Sequence, residues 1–502
     1  MILSDLTKEL KRLLESLIDA SDRYVLPSIH DKCSDAIREL HSPLKIAFTG
    51  ITSAGKSTLL NALVKRQVAP TGAETLTYNV NVFRHVSFSP SGREHIVAHC
   101  KDNSLIELPI DALTMLVDGR LDEGKELRNK ISWVEAFLNY DYLREIDLID
   151  TPGLYSTQES DSDNTIALFN DELRRPDVVV YLFQQIIKES DITAVSSFQR
   201  QLSREVRSKL TGLNTVVGMS QCDKLCEGDF SKDFHEIADC NIKRMQSNYA
   251  DFRKSFSTYF TLSALYAQSA YALKDSDFRI LQLLKEHYLE ELTDNVYDAS
   301  DFINDEEIIG QILSTEAERR DFLCRLDIHV VAYMVWWINE NPLASMNDLK
   351  NELITKSGVE KMSRHIYQTF RKFSIYFKTI KIISSILGDV NKESSKFQEP
   401  LQSSGLALIA NECRDFEIDL KRRFAFLSVL IDYYHRKTYF SDNEWGEALK
   451  AIDFYLSEED TESDLSSLRC FWKHTEEHYA IICDFEAKES CQIILEILNQ
   501  LN

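Results

Sequence analysis

Leu44-Lys45-Ile46-Ala47-Phe48-Thr49-Gly50-Ile51-Thr52-Ser53-Ala54-Gly55-Lys56-Ser57-Thr58 is the stretch on which the reading of this chain turns. The apolar run 44–49 reads as a strand and 58–64 as a helix. Between them the residues fit G-x-x-x-x-G-K-[ST], and the strand, loop and helix order makes the pattern a phosphate-binding loop rather than a glycine turn. Gly50 and Gly55 let the backbone curl so that N–H groups of Ser53, Ala54, Gly55, Lys56, Ser57 and Thr58 converge on one phosphate chain, helped by the helix N-terminus. The Lys56 ammonium can reach the β- and γ-phosphates, and the Ser57 hydroxyl can ligate Mg²⁺.

Farther along, the apolar run 146–150 ends in Asp150-Thr151-Pro152-Gly153. An Asp so placed holds Mg²⁺ through water, and the Gly153 N–H meets the γ-phosphate and senses its loss. Pro70-Thr71-Gly72-Ala73-Glu74-Thr75-Leu76-Thr77 lies between the two motifs. A threonine here ligates Mg²⁺ only while the γ-phosphate is present; Thr77 is the first choice and Thr75 the second. Ser220-Gln221-Cys222-Asp223 follows the run 215–219 and stands where [NT]-K-x-D would read a base. Asp223 can accept two hydrogen bonds from guanine N1–H and N2–H₂, groups that adenine lacks. Gln221 replaces a lysine whose aliphatic stem could lie along the base plane, so choice of GTP over ATP rests on Asp223. Lys224 next to it, and Ser263 in Leu262-Ser263-Ala264-Leu265, complete the candidate base site.

The runs 80–88, 144–150, 177–183, 214–220 and 259–263 join 44–49 as predicted strands, with helical stretches such as 191–212 between several of them. That alternation predicts an α/β domain with a mainly parallel sheet flanked by helices. After about 266 the strand signals fade, and 406–434 and 468–501 read as long helices. Residues 1–40 carry Leu6, Leu10, Leu13, Leu14, Leu17 and Ile18 at helical spacing. Only 15 glycines and 9 prolines punctuate 502 residues, which suits long helices. The expected organisation is a helix over 1–40, a nucleotide-binding domain over 41–270 and an extended all-α bundle over 271–502.

Eighty acidic against 57 basic side chains leave a formal charge of −23, which argues against a protein that coats nucleic acid non-specifically but leaves room for a local basic patch. The chain shows no apolar window of the roughly eighteen residues a transmembrane helix needs, nor a signal-peptide core at its start. Ten cysteines without a Cys-x-x-Cys pair fit a cytoplasmic setting. Against the overall charge, 350–381 is rich in lysine and arginine, with Ile366, Phe370, Phe373, Phe377, Ile380 and Leu387 at helical spacing. Such a helix can lie on an anionic bilayer. A bundle helix with its stripe turned inward gives the same pattern and is the favoured of the two.

Phosphate loop, switch threonine, D-T-P-G, S-Q-C-D and S-A-L, in this order, resemble the GTPase domain of the dynamin superfamily, and bacterial dynamin-like proteins in particular. Ser53 to Leu63, Pro70-Thr71-Gly72 with Thr77, the stretch 134–154, and 176–183 followed by 191–202 carry the likeness. The resemblance implies a large GTPase with GTP or GDP and Mg²⁺ as ligands. It implies nucleotide-dependent dimers or oligomers, with itself or a related dynamin-like partner, and hydrolysis without an external arginine finger. It also implies a helical neck and stalk, with the 1–40 helix in the neck, coupled to membrane or vesicle remodelling from a peripheral position. A membrane- or partner-binding part then falls near 350–390. The catalytic set so implied is Lys56, Ser53, Thr77 and Thr52, and the metal set is Ser57, Thr77 and Asp150. Eukaryotic members carry a water-positioning glutamine where this chain has Thr52; the Ser53 hydroxyl or a group from the dimer partner is the alternative. The competing reading is a GTP-dependent regulatory switch that acts on protein partners through its helical region, with no membrane step.

Overall fold

The computed structural model describes residues 2–40, 42–50, 53–66, 68, 80–117, 125–151, 176–184, 215–226, 228–248, 258–293, 298–396, 399–434, 439–457 and 462–501. These fall into two compact units, one made of 43–184 with 215–372 and the other of 2–42 with 373–501.

The first unit is built on a sheet whose strands are β1 (Leu44–Gly50), β2 (Val80–His85), β3 (His95–Cys100), β4 (Leu105–Leu108), β5 (Ile131–Leu138), β6 (Ile146–Asp150), β7 (Val178–Phe183), β8 (Thr215–Met219) and β9 (Thr258–Thr261). Their order is β4-β3-β5-β2-β6-β1-β7-β8-β9. The pairs β6–β1, β1–β7, β7–β8, β8–β9 and β2–β5 are parallel, whereas β2–β6, β3–β5 and β3–β4 are antiparallel. The mainly parallel α/β expectation is met. Strands β6, β7 and β8 are buried along their whole length. Their continuous apolar runs follow, because a strand covered on both faces has no reason to alternate. Strand β4 at the edge is half-buried at every second residue and otherwise exposed.

Three strands, β3, β4 and β5, were absent from the sequence expectation. Their polar residues are what hides them. His99 of β3 stacks on Trp133 of β5 with ring centroids 3.6 Å apart, and its Nε2 lies 2.9 Å from Glu135 Oε2. Cross-strand partners satisfy side chains that composition alone reads as loop.

The helices Ala264–Ala272, Asp275–Thr293, Ile328–Glu340 and Met346–Ser357 belong to the same unit. Tyr266, Leu281, Leu284, Tyr333, Met334 and Leu349 join Val217 and Met219 of β8 in one core. The apolar segment around Val330–Ile338 is thus a buried helix, and among the described residues no helix is long and apolar enough to cross a membrane.

In the second unit, the helices Ile2–Arg23, Pro27–Glu39, Ser374–Ser394 and Pro400–Arg423 share a core of Leu10, Leu14, Ile29, Ile383, Ile386 and Ile409. The long helices expected here are each interrupted. Val25 at φ +57° and Pro27 split 1–40. Phe424, packed against Tyr376 at 4.9 Å, separates Pro400–Arg423 from Phe426–Tyr434. Cys483 at φ +59° separates Glu462–Ile481 from Phe485–Asn499. The stretch 191–212 lies outside the described residues.

The lipid-facing alternative for the basic stripe is corrected by burial. Ile366 and Phe370 are interior in the first unit; Phe373, Phe377 and Leu387 are interior in the second. Two of the lysines are also turned inward: Lys378 donates to the Ser42 carbonyl, and Lys381 pairs with Glu39 at 2.5 Å, both nearly buried. The stripe is core.

His365 lies 5.4 Å from the Phe260 ring and edge-on to Phe370 at 5.7 Å, and burial pushes its pKa down to about 4. Below its ordinary value near 6.5 the unfolded chain gains a proton that the folded ring refuses. Stability therefore falls as pH drops from about 6.5 to about 4, by at most about 3 kcal/mol and less where water reaches the ring. Urea unfolding of wild type and His365→Phe across this range is expected to give a shallower acid slope in the variant. Parallel slopes would contradict it.

Candidate nucleotide site

Strand β1 lies between β6 and β7, where the direction of chain progression across the sheet reverses, so a crevice opens at its carboxyl end. The loop that leaves β1 there is shaped by backbone contacts. Gly50 has φ +145°, and a Cβ on it would stand 2.1 Å from the Leu182 carbonyl oxygen of β7. Ser53 follows at φ +62° and Gly55 at φ +80°. Gly55 caps the helix Lys56–Leu63, and as a glycine it has no side chain to accept from the helix's leading N–H groups. Its leading N–H groups can therefore serve an anion.

Two elements bring the charged groups together. Lys56 is buried, and its Nζ donates to the Gly50 carbonyl at 3.3 Å. Burial lowers its pKa to about 8, with Asp150 pulling the other way. Asp150, at the end of β6, has no exposed surface. The Ser57 hydroxyl donates to its Oδ2 at 3.1 Å, while Oδ1 has no hydrogen-bond partner among the described residues. Burial raises the carboxyl to about 6, opposed by Lys56 and Ser57. A buried carboxylate oxygen without a partner is costly, and a hard divalent cation between Ser57 and Asp150 would remove that cost. The donor set fits Mg²⁺. Thr151 pins the strand end, its hydroxyl donating to the Phe48 carbonyl at 2.9 Å.

At the other end of the crevice the turn after β8 is tied down twice. The Ser220 hydroxyl donates to the Phe183 carbonyl at 2.9 Å, and Cys222 N–H to the Leu262 carbonyl at 3.1 Å. Burial raises the Asp223 carboxyl, with the nearby Ser263 hydroxyl opposing the shift. Among the described residues, neither Asp223 Oδ1 nor that hydroxyl completes a hydrogen bond. Ser263 is fully buried, and its N–H donates to the Ser357 carbonyl at 2.9 Å, which holds the S-A-L turn against the helix Met346–Ser357.

Gln184 and Gln221 join the two ends, a role that their place just after β7 and β8 hints at only once the sheet order is known. The Ser53 carbonyl accepts from Gln184 Nε2 at 3.0 Å and from Gln221 Nε2 at 2.8 Å. Gln221 Oε1 in turn accepts from Lys224 Nζ at 2.8 Å. Among the predicted site residues, Gly50, Ser53, Ala54, Gly55, Lys56, Ser57, Thr58 and Asp150 share one end, and Asp223, Lys224 and Ser263 lie by the neighbouring turns. Thr52, Thr77 and Gly153 lie outside the described residues.

Gly50→Ala is expected to lower the urea midpoint by the equivalent of about 2 kcal/mol or more and to impair nucleotide binding, because the new methyl meets β7 backbone. An unchanged midpoint would show that the close approach is not needed.

Residues 46–217 match the dynamin family. The chain is 28% identical over 193 residues to the isoniazid-induced protein IniC of Mycobacterium tuberculosis, covering 38% of this chain and 36% of that protein. It is 25% identical over 259 residues to dynamin-like protein 2 of Campylobacter jejuni, covering 51% of this chain and 36% of the relative. Over 119 residues, 23% of this chain and 9% of the relative, it is 34% identical to dynamin-like protein A of Bacillus subtilis. The chain thus spans about a third of the length of the first two relatives. Family match, relatives and the order of motifs around the β1 loop agree on one likeness: residues 46–217 match the dynamin family, and the chain is similar to bacterial dynamin-like proteins.

Proposed function

We propose that this chain binds GTP with Mg²⁺ and hydrolyses it to GDP and phosphate, and that its helical region transmits the change. The observation that carries the reading is Asp150, fully buried with one oxygen unsatisfied beside Ser57 and Lys56 at the sheet's crossover. The chemistry a bound Mg²⁺ supplies is neutralisation of charge on the transferring phosphoryl group. Lys56 would exchange the Gly50 carbonyl for phosphate oxygens, and loop amides from Ser53 to Thr58 would cradle the chain. Asp223 would accept the guanine N–H groups, a match that adenine cannot satisfy. Thr77 and Gly153 would report the γ-phosphate, and Thr52 or Ser53 would orient water. The family likeness further suggests GTP-dependent self-association and action at a membrane surface.

A second reading, a GTP-dependent switch on protein partners, is favoured by one observation: Ile366, Phe370, Phe373, Phe377 and Leu387, the apolar side chains a bilayer would take up, are interior. Co-sedimentation with anionic liposomes, with and without a non-hydrolysable GTP analogue, separates the two. Binding under either condition supports the membrane reading, and none under both supports the switch.

Lys56→Ala is expected to cut GTP turnover by about a hundredfold or more. GTP is expected to displace a labelled guanine nucleotide at least about a hundredfold better than ATP. Wild-type turnover in the variant would rule out this site, and equal competition would overturn the role of Asp223.

A further inference from the structure

The lysine absent from the base-reading turn leaves a question that the geometry answers. In [NT]-K-x-D the cation stands two residues before the Asp, whereas here that place is Gln221. Gln221 is held in the left-handed region at φ +55°, so its side chain leaves the turn in a direction that ordinary backbone would not give. Both ends of its carboxamide are engaged. Nε2 donates to the Ser53 carbonyl at 2.8 Å, and Oε1 accepts from Lys224 Nζ at 2.8 Å. Lys224 follows Asp223 in the short turn Cys222–Cys226, and its exposed stem folds back three residues to make that contact.

We infer that Gln221 and Lys224 together replace the missing lysine, as a split clamp that positions the phosphate loop and the Asp223 turn for a guanine nucleotide. This rests on the GTP reading above. One residue supplies the tether and the other the charge. A carboxamide can donate to the Ser53 carbonyl as an ammonium would, but it carries no charge and its orientation is two-fold ambiguous. The Lys224 ammonium removes the ambiguity, because it needs an acceptor and forces Oε1 toward itself and Nε2 toward Ser53. A charge-assisted hydrogen bond of this kind is stronger than a neutral one. Gln184, donating to the same carbonyl at 3.0 Å, holds the Ser53 peptide from the β7 side. The clamp therefore acts on a peptide already fixed on one flank, and its own contribution is to fix the flank nearest the base.

Lys224 is thus a positioning residue whose ammonium, not its stem, matters. The test is GDP affinity, measured with a fluorescent guanine nucleotide on the full chain. Lys224→Met keeps the stem and loses the charge; it is expected to weaken binding about tenfold, as much as Lys224→Ala does. Gln221→Leu, which cuts the tether itself, is expected to weaken it at least as much. Gln221→Lys combined with Lys224→Met returns a single lysine to the motif position and is expected to restore affinity to within about twofold of wild type. Because Lys224 is exposed, the unfolding midpoint without nucleotide should stay put in its single variants. Wild-type affinity in Lys224→Met, or no rescue in the double variant, overturns the split clamp while the GTP reading stands. Failure of wild type to bind any guanine nucleotide overturns both.

Discussion

Asp150 is a carboxylate with no exposed surface and one oxygen that finds no hydrogen-bond partner among the described residues. Most of the head's local geometry can be traced to keeping it there. Parallel pairing sets Asp150 beside Phe48 of β1, and Thr151 closes the strand end onto the Phe48 carbonyl. Ser57 meets the second oxygen from the first turn of the helix that begins at Lys56, directly after Gly55 at φ +80°. Two opposite charges so enclosed would be a poor way to gain stability, since desolvation cancels much of their attraction. Their lowered and raised pKa values, about 8 for Lys56 and about 6 for Asp150, express that cost. The arrangement makes sense as one that waits for a ligand with both negative charge and a cation.

The centre of the sheet was legible because burial on both faces writes an unbroken apolar run, as in β6, β7 and β8, and because the phosphate loop has a spacing of its own. The antiparallel side was not. Strands β3 and β5 carry His99, Trp133 and Glu135, which satisfy one another across the ladder, and no single segment reveals a partner that lies in another. Asp150, Ser57, Asp223 and Ser263 could be named from their motifs. Gln221 was named from its motif too, but its contact with Ser53 and the part played by Gln184 could not be read, since the two become neighbours of Ser53 only when β7 and β8 are known to lie side by side.

The helical residues show the same limit in another form. Helical spacing tells which face is apolar but not what covers it. The stripe from Ile366 to Leu387 therefore fitted a lipid-facing helix as well as the favoured core helix, and neighbours such as Glu39, which answers Lys381, decided it. Strand signals end by Thr261, yet the unit that holds the sheet runs on to residue 372, because Tyr266, Leu281 and Tyr333 close a core that β8 begins. Loss of a periodicity marks the end of an element type, which is a different thing from the end of a core.

Oxygens without a hydrogen-bond partner among the described residues stand at both ends of the crevice, Asp150 Oδ1 beside Ser57 and Asp223 Oδ1 in the base-reading turn. Between them lies the Ser53 peptide, whose left-handed backbone is an unfavourable choice for a residue with a side chain. Two amide donors on its carbonyl are what make that choice tenable. One donor comes from the end of β7 and the other from the Asp223 turn, so any shift of that turn loosens a bond that holds the phosphate loop in shape. A base and a phosphate chain that belong to one molecule are in this way read by one connected piece of backbone.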